Sequence, residues 1–186
     1  IHLAILISIY SILGVSLNLV MGYTGLISVA HAAFYGIGAY TAALLMKFVG
    51  VNFFVAAGIS MLVAIPISLS AGAVFSKFRG DYYALATLGF TVIVFSVLIN
   101  WQELTQGPLG IPGIPRPVLF GIGFTSNTSF LILSCAVAGV VYGFARSIAH
   151  SSFGRALKGI REDEQALQVF GYNTALYKLT VFVISA

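Results

Sequence analysis

Five long stretches of this sequence contain no Asp, Glu, Lys or Arg, and each is about long enough to cross a lipid bilayer. Only 8% of the residues are charged and 59% are hydrophobic, whereas about a quarter of the residues in a typical soluble domain are charged. A hydrocarbon core of about 30 Å is crossed by about 20 mostly apolar residues in a helix. The sequence therefore predicts an all-α fold, a polytopic bundle of transmembrane helices in contact with the lipid bilayer.

The predicted bundle has about five complete spans and the start of a sixth. The apolar run at the end of the chain, 179–186, is too short to cross the bilayer. No segment between the runs is long enough to fold alone, and the sequence has no starting Met. We therefore interpret residues 1–186 as a single membrane-embedded unit and as a fragment of a longer subunit. The five spans are predicted at residues 3–21, 26–46, 53–75, 82–100 and 130–145.

The basic residues in the loops predict the orientation of the chain in the membrane. Seven of the nine Lys and Arg residues lie on one side of the predicted bundle, together with the polar segment 146–178. Cytoplasmic loops carry the excess of basic residues, so 146–178 is predicted to be a cytoplasmic loop, with the first residue outside. The other side carries Lys47, Arg116 and the proline-rich loop 107–123, which cannot form an ordinary helix. The seven residues of the cytoplasmic side are Lys77, Arg79, Arg146, Arg155, Lys158, Arg161 and Lys178.

The stretch 18–40 combines glycines with polar side chains inside the predicted spans. An unsatisfied backbone group is costly in lipid, so a helix broken by Gly22 and Gly25 must be buried in protein or line a wet cavity. Three side chains of the second predicted span recur at i, i+3 and i+7 and therefore share one helix face. We predict a substrate path along this face, beside the glycine break. The candidate path residues are Asn18, Gly22, Gly25, Ser28, His31 and Tyr35.

The same residues also allow a purely structural interpretation. Gly22 to Gly25 can form a tight turn, and the other small residues can let neighbouring helices pack closely. His31 can be a histidine that packs between helices with its ring nitrogens satisfied, although an ionisable group inside a membrane is a candidate functional group by default. The sequence alone leaves the choice between a turn and a mid-membrane helix break open.

The segment 151–171 has the pattern of two short amphipathic helices. Apolar residues recur at helical spacing over 153–160, with basic residues on the opposite side. Asp163 can cap a second helix over 164–170, and Gly171 suits the C-terminal end of that helix. Such helices could lie among the lipid headgroups or fill a groove on a partner protein. A solvated connector explains the residues equally well.

Several functions are excluded by motifs that the sequence lacks. There is no GxxxxGKS or GxxxxGKT phosphate-binding loop, so the chain cannot itself be an ATPase. No HExxH or GxSxG motif and no Cys/His cluster with metal-ligand spacing is present. We therefore predict no catalytic residue, no cofactor and no metal site. The formal charge of +4 does not indicate nucleic-acid binding, because the basic residues lie in loops between spans.

Four segments together resemble one family of membrane proteins. They are 18–40 (NLVMGYTGLISVAHAAFYGIGAY), 79–90 (RGDYYALATLGF), 107–121 (GPLGIPGIPRPVLFG) and 153–186 (FGRALKGIREDEQALQVFGYNTALYKLTVFVISA). On these residues the chain resembles the permease subunits of branched-chain amino acid ABC importers, specifically the M-type of the two permeases. The resemblance implies a subunit of a prokaryotic inner membrane that moves leucine, isoleucine and valine by alternating access.

The resemblance also implies partners and a role for the cytoplasmic segment. The expected partners are a second, H-type permease subunit, two cytoplasmic ATP-binding subunits and an external solute-binding protein. By the same resemblance, residues 161–171 form the coupling segment that docks on the ATPase, with Glu-Gln-Ala at 164–166 in place of the EAA triplet of such importers. Gly171 is displaced by one residue from the usual spacing. The candidate coupling residues are Leu157, Ile160, Arg161, Glu164, Leu167, Phe170 and Gly171.

Other functions remain open at this point. Related permeases of the same broad family carry urea or short amides, and only the GYTG and SVAHAAFYG sequences favour the amino acid branch. A non-transporting membrane scaffold would need no more than the spans. A membrane-embedded enzyme would need acids, histidines or metal ligands that converge at one depth, and His31 is the only such group deep in a predicted span.

Overall fold

The computed structural model describes residues 1–78, 80–119, 122–123 and 126–186, which are mostly α-helical. Arg79, counted above among the basic residues, lies outside the described residues, as do Phe120 and Gly121 of the proline-rich loop. The helices are α1 (His2–Thr24), α2 (His31–Leu44), α3 (Phe53–Phe75), α4 (Asp81–Asn100), α5 (Gln102–Thr105), α6 (Asn127–His150), α7 (Ser152–Val169) and α8 (Thr174–Ser185). The remaining elements are a π-helical turn, Leu45–Val49, a 3₁₀ turn, Gly107–Leu109, and the antiparallel strands β1 (Val118–Leu119) and β2 (Ile122–Gly123).

Five of the described helices are long and apolar enough to cross a membrane: α1, α2 with its π-helical turn, α3, α4 and α6. This confirms the predicted polytopic helical bundle. The observed bounds of α3 and α4 lie within one residue of the predicted spans. The shorter α8 contains most of the apolar run that was predicted as the start of a sixth span.

The predicted boundaries of the second and fifth spans are wrong. The second span begins at His31 rather than at residue 26, because the chain turns into a left-handed conformation at Gly25 and is not helical over 25–29. The fifth span is longer than predicted at both ends, and the Ser126 hydroxyl caps its start by accepting the N–H of Thr128 at 3.3 Å. The predicted loop 146–178 therefore contains the end of α6, all of α7 and the start of α8.

The hydrophobic core lies at one end of the bundle, where α1 ends, α2 begins and α7 and α8 pack. Phe182 of α8 lies 5.5 Å from both Phe34 and Phe75, ring centre to ring centre, and packs against them edge to face. Phe75 packs in the same way against Phe90 of α4 at 5.7 Å. Each such pair adds about 0.5–1.5 kcal/mol beyond the burial of its surface. The core thus joins helices that are distant in the sequence.

The opposite end of the bundle is covered by the proline-rich loop. The Asn52 side chain, which caps the start of α3, donates to the Val118 carbonyl oxygen at 2.6 Å. Arg116 Nη2 donates to Asn127 Oδ1, at the start of α6, at 3.3 Å. These two bonds attach the loop to two helices. Between the 3₁₀ turn and β1 the loop has no regular structure, which confirms that this part of the segment is not an ordinary helix.

Candidate substrate path and coupling segment

The first predicted path residues lie where α1 ends. Gly22 is inside the helix, and the Asn18 amide packs so closely over it that a Cβ there would collide with the amide oxygen. Gly25 ends the helix with φ 72°, and its N–H donates to the Met21 carbonyl oxygen at 3.1 Å. A positive φ is readily adopted by glycine and disfavoured for residues with a Cβ. The structure therefore places the break at Gly25, after a continuous helix, and not across the whole stretch 22–25.

The non-helical residues 25–29 are fastened to α4 by two threonines. Thr87 Oγ1 accepts the N–H of Val29 at 3.2 Å, and the single hydroxyl hydrogen of Thr91 is shared between the carbonyl oxygens of Val29, at 3.1 Å, and Thr87, at 2.9 Å. Irregular backbone survives at membrane depth only where its polar groups find such partners. The sequence analysis did not identify these threonines. Their spacing of four residues places both on one face of a predicted span, but that spacing does not show that the face contacts Val29.

Two of the predicted path side chains are buried without partners. Ser28 and His31 are 4% and 6% exposed, and among the described residues nothing hydrogen-bonds the Ser28 hydroxyl or either ring nitrogen of His31. The Ser16 backbone lies near the imidazole and Tyr83 lies near the Ser28 hydroxyl, but neither contact has hydrogen-bond geometry. The predicted helix face is wrong, because Ser28 precedes α2 and Tyr35 is 50% exposed.

This arrangement favours reversible binding rather than covalent chemistry. A buried hydroxyl and an imidazole with open hydrogen-bonding capacity can accept a small polar solute or water, since leaving such groups unsatisfied is costly. In the part of the chain that the structure describes, no three His, Cys, Asp or Glu side chains are grouped so that they could hold a metal ion. The site can therefore form hydrogen bonds with a solute beside the point where the helix is interrupted.

Helix α7, which is predicted to be cytoplasmic, consists of two helical halves, 152–162 and 164–169, that meet at Asp163. Asp163 has φ −155° and ψ 98°, outside the helical region. Its Oδ1 accepts the backbone N–H groups two and three residues further along, both at 2.9 Å. Gly171 follows the second half with φ 84°. The predicted pair of short helices, with a cap at Asp163 and a glycine stop, is confirmed.

The first half of α7 packs into the bundle. Leu157 and Ile160 are 0% and 6% exposed and belong to the hydrophobic core. Arg161 Nη1 donates to the Gly22 carbonyl oxygen at 2.8 Å, so it contacts the end of α1 directly. The prediction that Leu157 anchors a partner protein is therefore wrong, because its side chain already fills a space inside this chain.

The second half of α7 is bound to α8 by a buried polar network. Lys178 Nζ lies 2.7 Å from Glu164 Oε1, and the lysine side chain is only 1% exposed. The Thr174 hydroxyl donates to the same carboxylate oxygen at 2.9 Å, and Gln168 Nε2 donates to Thr174 Oγ1 at 2.8 Å. Removing one partner of a buried ion pair is strongly destabilising. Glu164 therefore connects α7 to α8 in this structure.

The exposed apolar surface of α7 lies at its C-terminal end. Leu167 is half-buried and packs against Gly159 of the first half, so closely that a Cβ added at Gly159 would lie 2.8 Å from its Cδ1. Its side chain therefore fills the space between the two halves. Val169 and Phe170 are 87% and 79% exposed. Of the predicted apolar anchors, only Phe170 is thus available to a partner, and the sequence analysis missed Val169 beside it.

A family model described as "Branched-chain amino acid transport system / permease component" matches residues 1–186. The chain is 36% identical over 209 residues to the protein named "High-affinity branched-chain amino acid transport system permease protein LivM" of Salmonella typhimurium, covering 100% of this chain and 49% of the relative. The corresponding protein of Escherichia coli gives the same identity and coverage.

A more distant relative comes from an archaeon. The chain is 24% identical over 211 residues to the "Probable branched-chain amino acid transport permease protein LivM" of Methanocaldococcus jannaschii, covering 96% of this chain and 61% of the relative. The chain spans about half the length of the bacterial relatives. No solved structure matches the chain significantly.

Proposed function

Because the chain belongs to the branched-chain amino acid transport permease family, whose model matches residues 1–186, we propose that it is part of the permease of an ATP-driven ABC importer of leucine, isoleucine and valine. The observation that carries this proposal is the full-length family match on a chain with five helices long enough to span a membrane. The relatives named above are themselves transport permeases by name.

The substrate path is proposed to pass the break between α1 and α2. Ser28 and His31 supply buried polar atoms without partners among the described residues, and Thr87 holds the extended backbone in place. Passage follows an alternating-access mechanism, in which two arrangements of the spans are biased by ATP binding and hydrolysis on partner subunits.

Coupling to the ATP-binding subunits is proposed to occur through α7. The exposed Val169 and Phe170 are suited to a groove on an ATPase, since short amphipathic helices dock through apolar anchors. A movement of α7 would be transmitted to the end of α1 through the hydrogen bond of Arg161, and to α8 through the ion pair of Glu164. The proposed assembly comprises this subunit, an H-type permease, two cytoplasmic ATP-binding subunits and an external solute-binding protein, in a prokaryotic inner membrane with the first residue outside.

Transport by the complete subunit tests both the function and the path. Ser28→Leu and His31→Leu, each in the full-length subunit assembled with its partners in proteoliposomes, should lower ATP-dependent uptake of radiolabelled leucine at least about tenfold, because each change removes the buried polar atoms that are proposed to hydrogen-bond the substrate. Ser11→Leu is the matched control, since Ser11 is exposed and donates to the Ile7 carbonyl oxygen of its own helix. Co-purification with the ATP-binding subunits verifies assembly.

The uptake measurements distinguish the proposed path and function from the alternatives. Normal uptake in both variants would leave Ser28 and His31 as packing residues and move the path elsewhere. Uptake of urea or acetamide instead of leucine by the unmodified complex would favour the small-amide branch. Absence of any uptake by the unmodified, assembled complex would favour a scaffold role.

A further inference from the structure

A cavity of about 580 Å³ lies at the end of the bundle opposite α7. It is formed by the start of α1, the end of α2, the starts of α3 and α6, and the proline-rich loop. Ligand-binding cavities in proteins typically have volumes of about 300–1,000 Å³ and combine apolar walls with a few polar groups. The path residues discussed above do not line this cavity, so it is a separate feature of the molecule.

The walls of the cavity are apolar and come from four of the spans, α1, α2 with its π-helical turn, α3 and α6. Ile5 of α1, Met46 in the π-helical turn after α2, Phe53 of α3 and Phe130 of α6 supply most of the large side chains. Alanines on α2, among them Ala39, line the same space and keep it open. Such a lining stabilises an aliphatic side chain by about 25 cal/mol for each Å² of its apolar surface that leaves water.

Three polar side chains lie in a row at the edge of this space. Arg116 Nη2 donates to Asn127 Oδ1 at 3.3 Å, and Asn127 Nδ2 lies 3.4 Å from His2 Nε2. A guanidinium is always charged and its planar fork matches a carboxylate. Pro115 and Pro117 flank the arginine and restrict the backbone on both sides. The cavity thus has a cationic group held at one edge of a hydrophobic chamber.

We propose that this cavity is an outer binding site for an α-amino acid with a branched aliphatic side chain. The substrate carboxylate pairs with Arg116, and the aliphatic side chain lies against Met46 and Phe53. The α-ammonium group donates to Asn127 Oδ1, which retains a second lone pair beside its bond to Arg116. Such an amino acid has a carboxylate and an apolar side chain on the same carbon, and a hydrophobic cavity with a cationic group at its edge can bind both. This inference rests on the proposed transport function and on the predicted orientation.

Protection of a cysteine in the cavity wall tests the proposal. In the full-length subunit assembled with its partners, Cys135→Ser removes the native thiol and Ala39→Cys places a new one in the cavity. An impermeant maleimide added from outside should label it, and saturating leucine should slow the labelling at least about fivefold by occupying the site. Leucinamide, which lacks the carboxylate, should protect much less. Leu109→Cys is the control thiol, because Leu109 is 92% exposed on the same side and should be labelled equally with and without leucine.

Substitution of the arginine then identifies the group that binds the carboxylate. Adding Arg116→Gln to the Ala39→Cys background should abolish protection by leucine, whereas Lys47→Gln, a change at the other basic residue of that side, should leave it intact. Uptake of leucine by the unmodified complex is measured in parallel. If that complex does not transport leucine, the proposed function fails. If it does transport leucine, three results would each overturn the outer site alone. The first is no labelling at Ala39→Cys, and the second is labelling that leucine does not slow, as expected for a cavity filled by a lipid chain. The third is protection by leucine that survives Arg116→Gln.

Discussion

Gly25 combines two constraints at a single residue. Its φ of 72° is a conformation that residues with a Cβ rarely adopt, and a Cβ added there would lie 3.1 Å from Cγ of Arg161. Arg161 in turn donates to the Gly22 carbonyl oxygen at 2.8 Å. The position therefore determines both where α1 ends and how closely α7 approaches that end.

Replacing this glycine should be costly, whereas replacing a helical glycine should not. We expect Gly25→Ala to destabilise the subunit by about 1–2 kcal/mol, the cost of a left-handed residue with a side chain. Gly38→Ala is the matched change, because Gly38 lies inside α2 with open space around it, and alanine is the better helix former. Thermal unfolding of the purified subunit in detergent measures both effects. Equal unfolding temperatures for the two variants would contradict the role assigned to Gly25.

Only some of the residues around the candidate path were visible in the sequence. Ser28 and His31 stood out as polar groups in an apolar stretch, and both are buried, although their role in transport stays a prediction. Thr87 and Thr91 did not stand out, since a hydroxyl in a transmembrane helix commonly bonds a carbonyl of its own helix. Both threonines do make that local bond. Their second bonds, to Val29, depend on how α4 packs against the extended segment, which no local pattern reveals.

At the scale of elements, the sequence predicted that α7 consists of two helices, but it did not predict which of their faces are covered by the rest of the chain. The apolar spacing and Asp163 predicted two short capped helices, because caps and periodicity are local properties. An amphipathic pattern shows which residues share a face but not what covers that face. Leu157 faces the core of its own chain, while Phe170 remains exposed. The start of α2 was misplaced for a similar reason, since hydropathy continues through 26–30 while the backbone conformation at Gly25 does not.

Substitution of the exposed Phe170 and of the buried Leu157 should have different effects, the first on coupling and the second on stability. Phe170→Asp should abolish the stimulation of ATP hydrolysis by loaded binding protein while the subunit remains folded in the membrane, because it places a charge on the exposed docking surface. Ser152→Asp adds the same charge at the exposed start of α7 and should leave the stimulation unchanged. Leu157→Ala should instead cost about 2–5 kcal/mol of stability by creating a cavity. Stimulated ATP hydrolysis that persists in Phe170→Asp would move the docking surface away from this end of α7.

At the scale of the whole molecule, packing and open space lie at opposite ends of the bundle. The aromatic core, the first half of α7 and the ion pair between Glu164 and Lys178 are all at one end. The cavity of about 580 Å³ and the proline-rich loop are at the other. A transporter that alternates between two arrangements must be closed at one end when it is open at the other. Under the proposed alternating-access mechanism, and with the α7 end in the cytoplasm as predicted, this arrangement would be a state that is closed inside and open outside.

The orientation of the bundle decides this interpretation, and two engineered thiols measure it. In a Cys135→Ser background, we expect Leu109→Cys, in the 3₁₀ turn of the proline-rich loop, to react with an impermeant maleimide added to intact cells. We expect Ser152→Cys, at the start of α7, to react only after the membrane is permeabilised. Both residues are exposed, so a difference in labelling reports the side of the membrane rather than burial. The expectation follows from seven basic residues on the α7 side against two on the other, since basic loops stay in the cytoplasm. The reverse pattern would place α7 outside, where no ATPase could dock on Phe170, and would turn the cavity toward the cytoplasm.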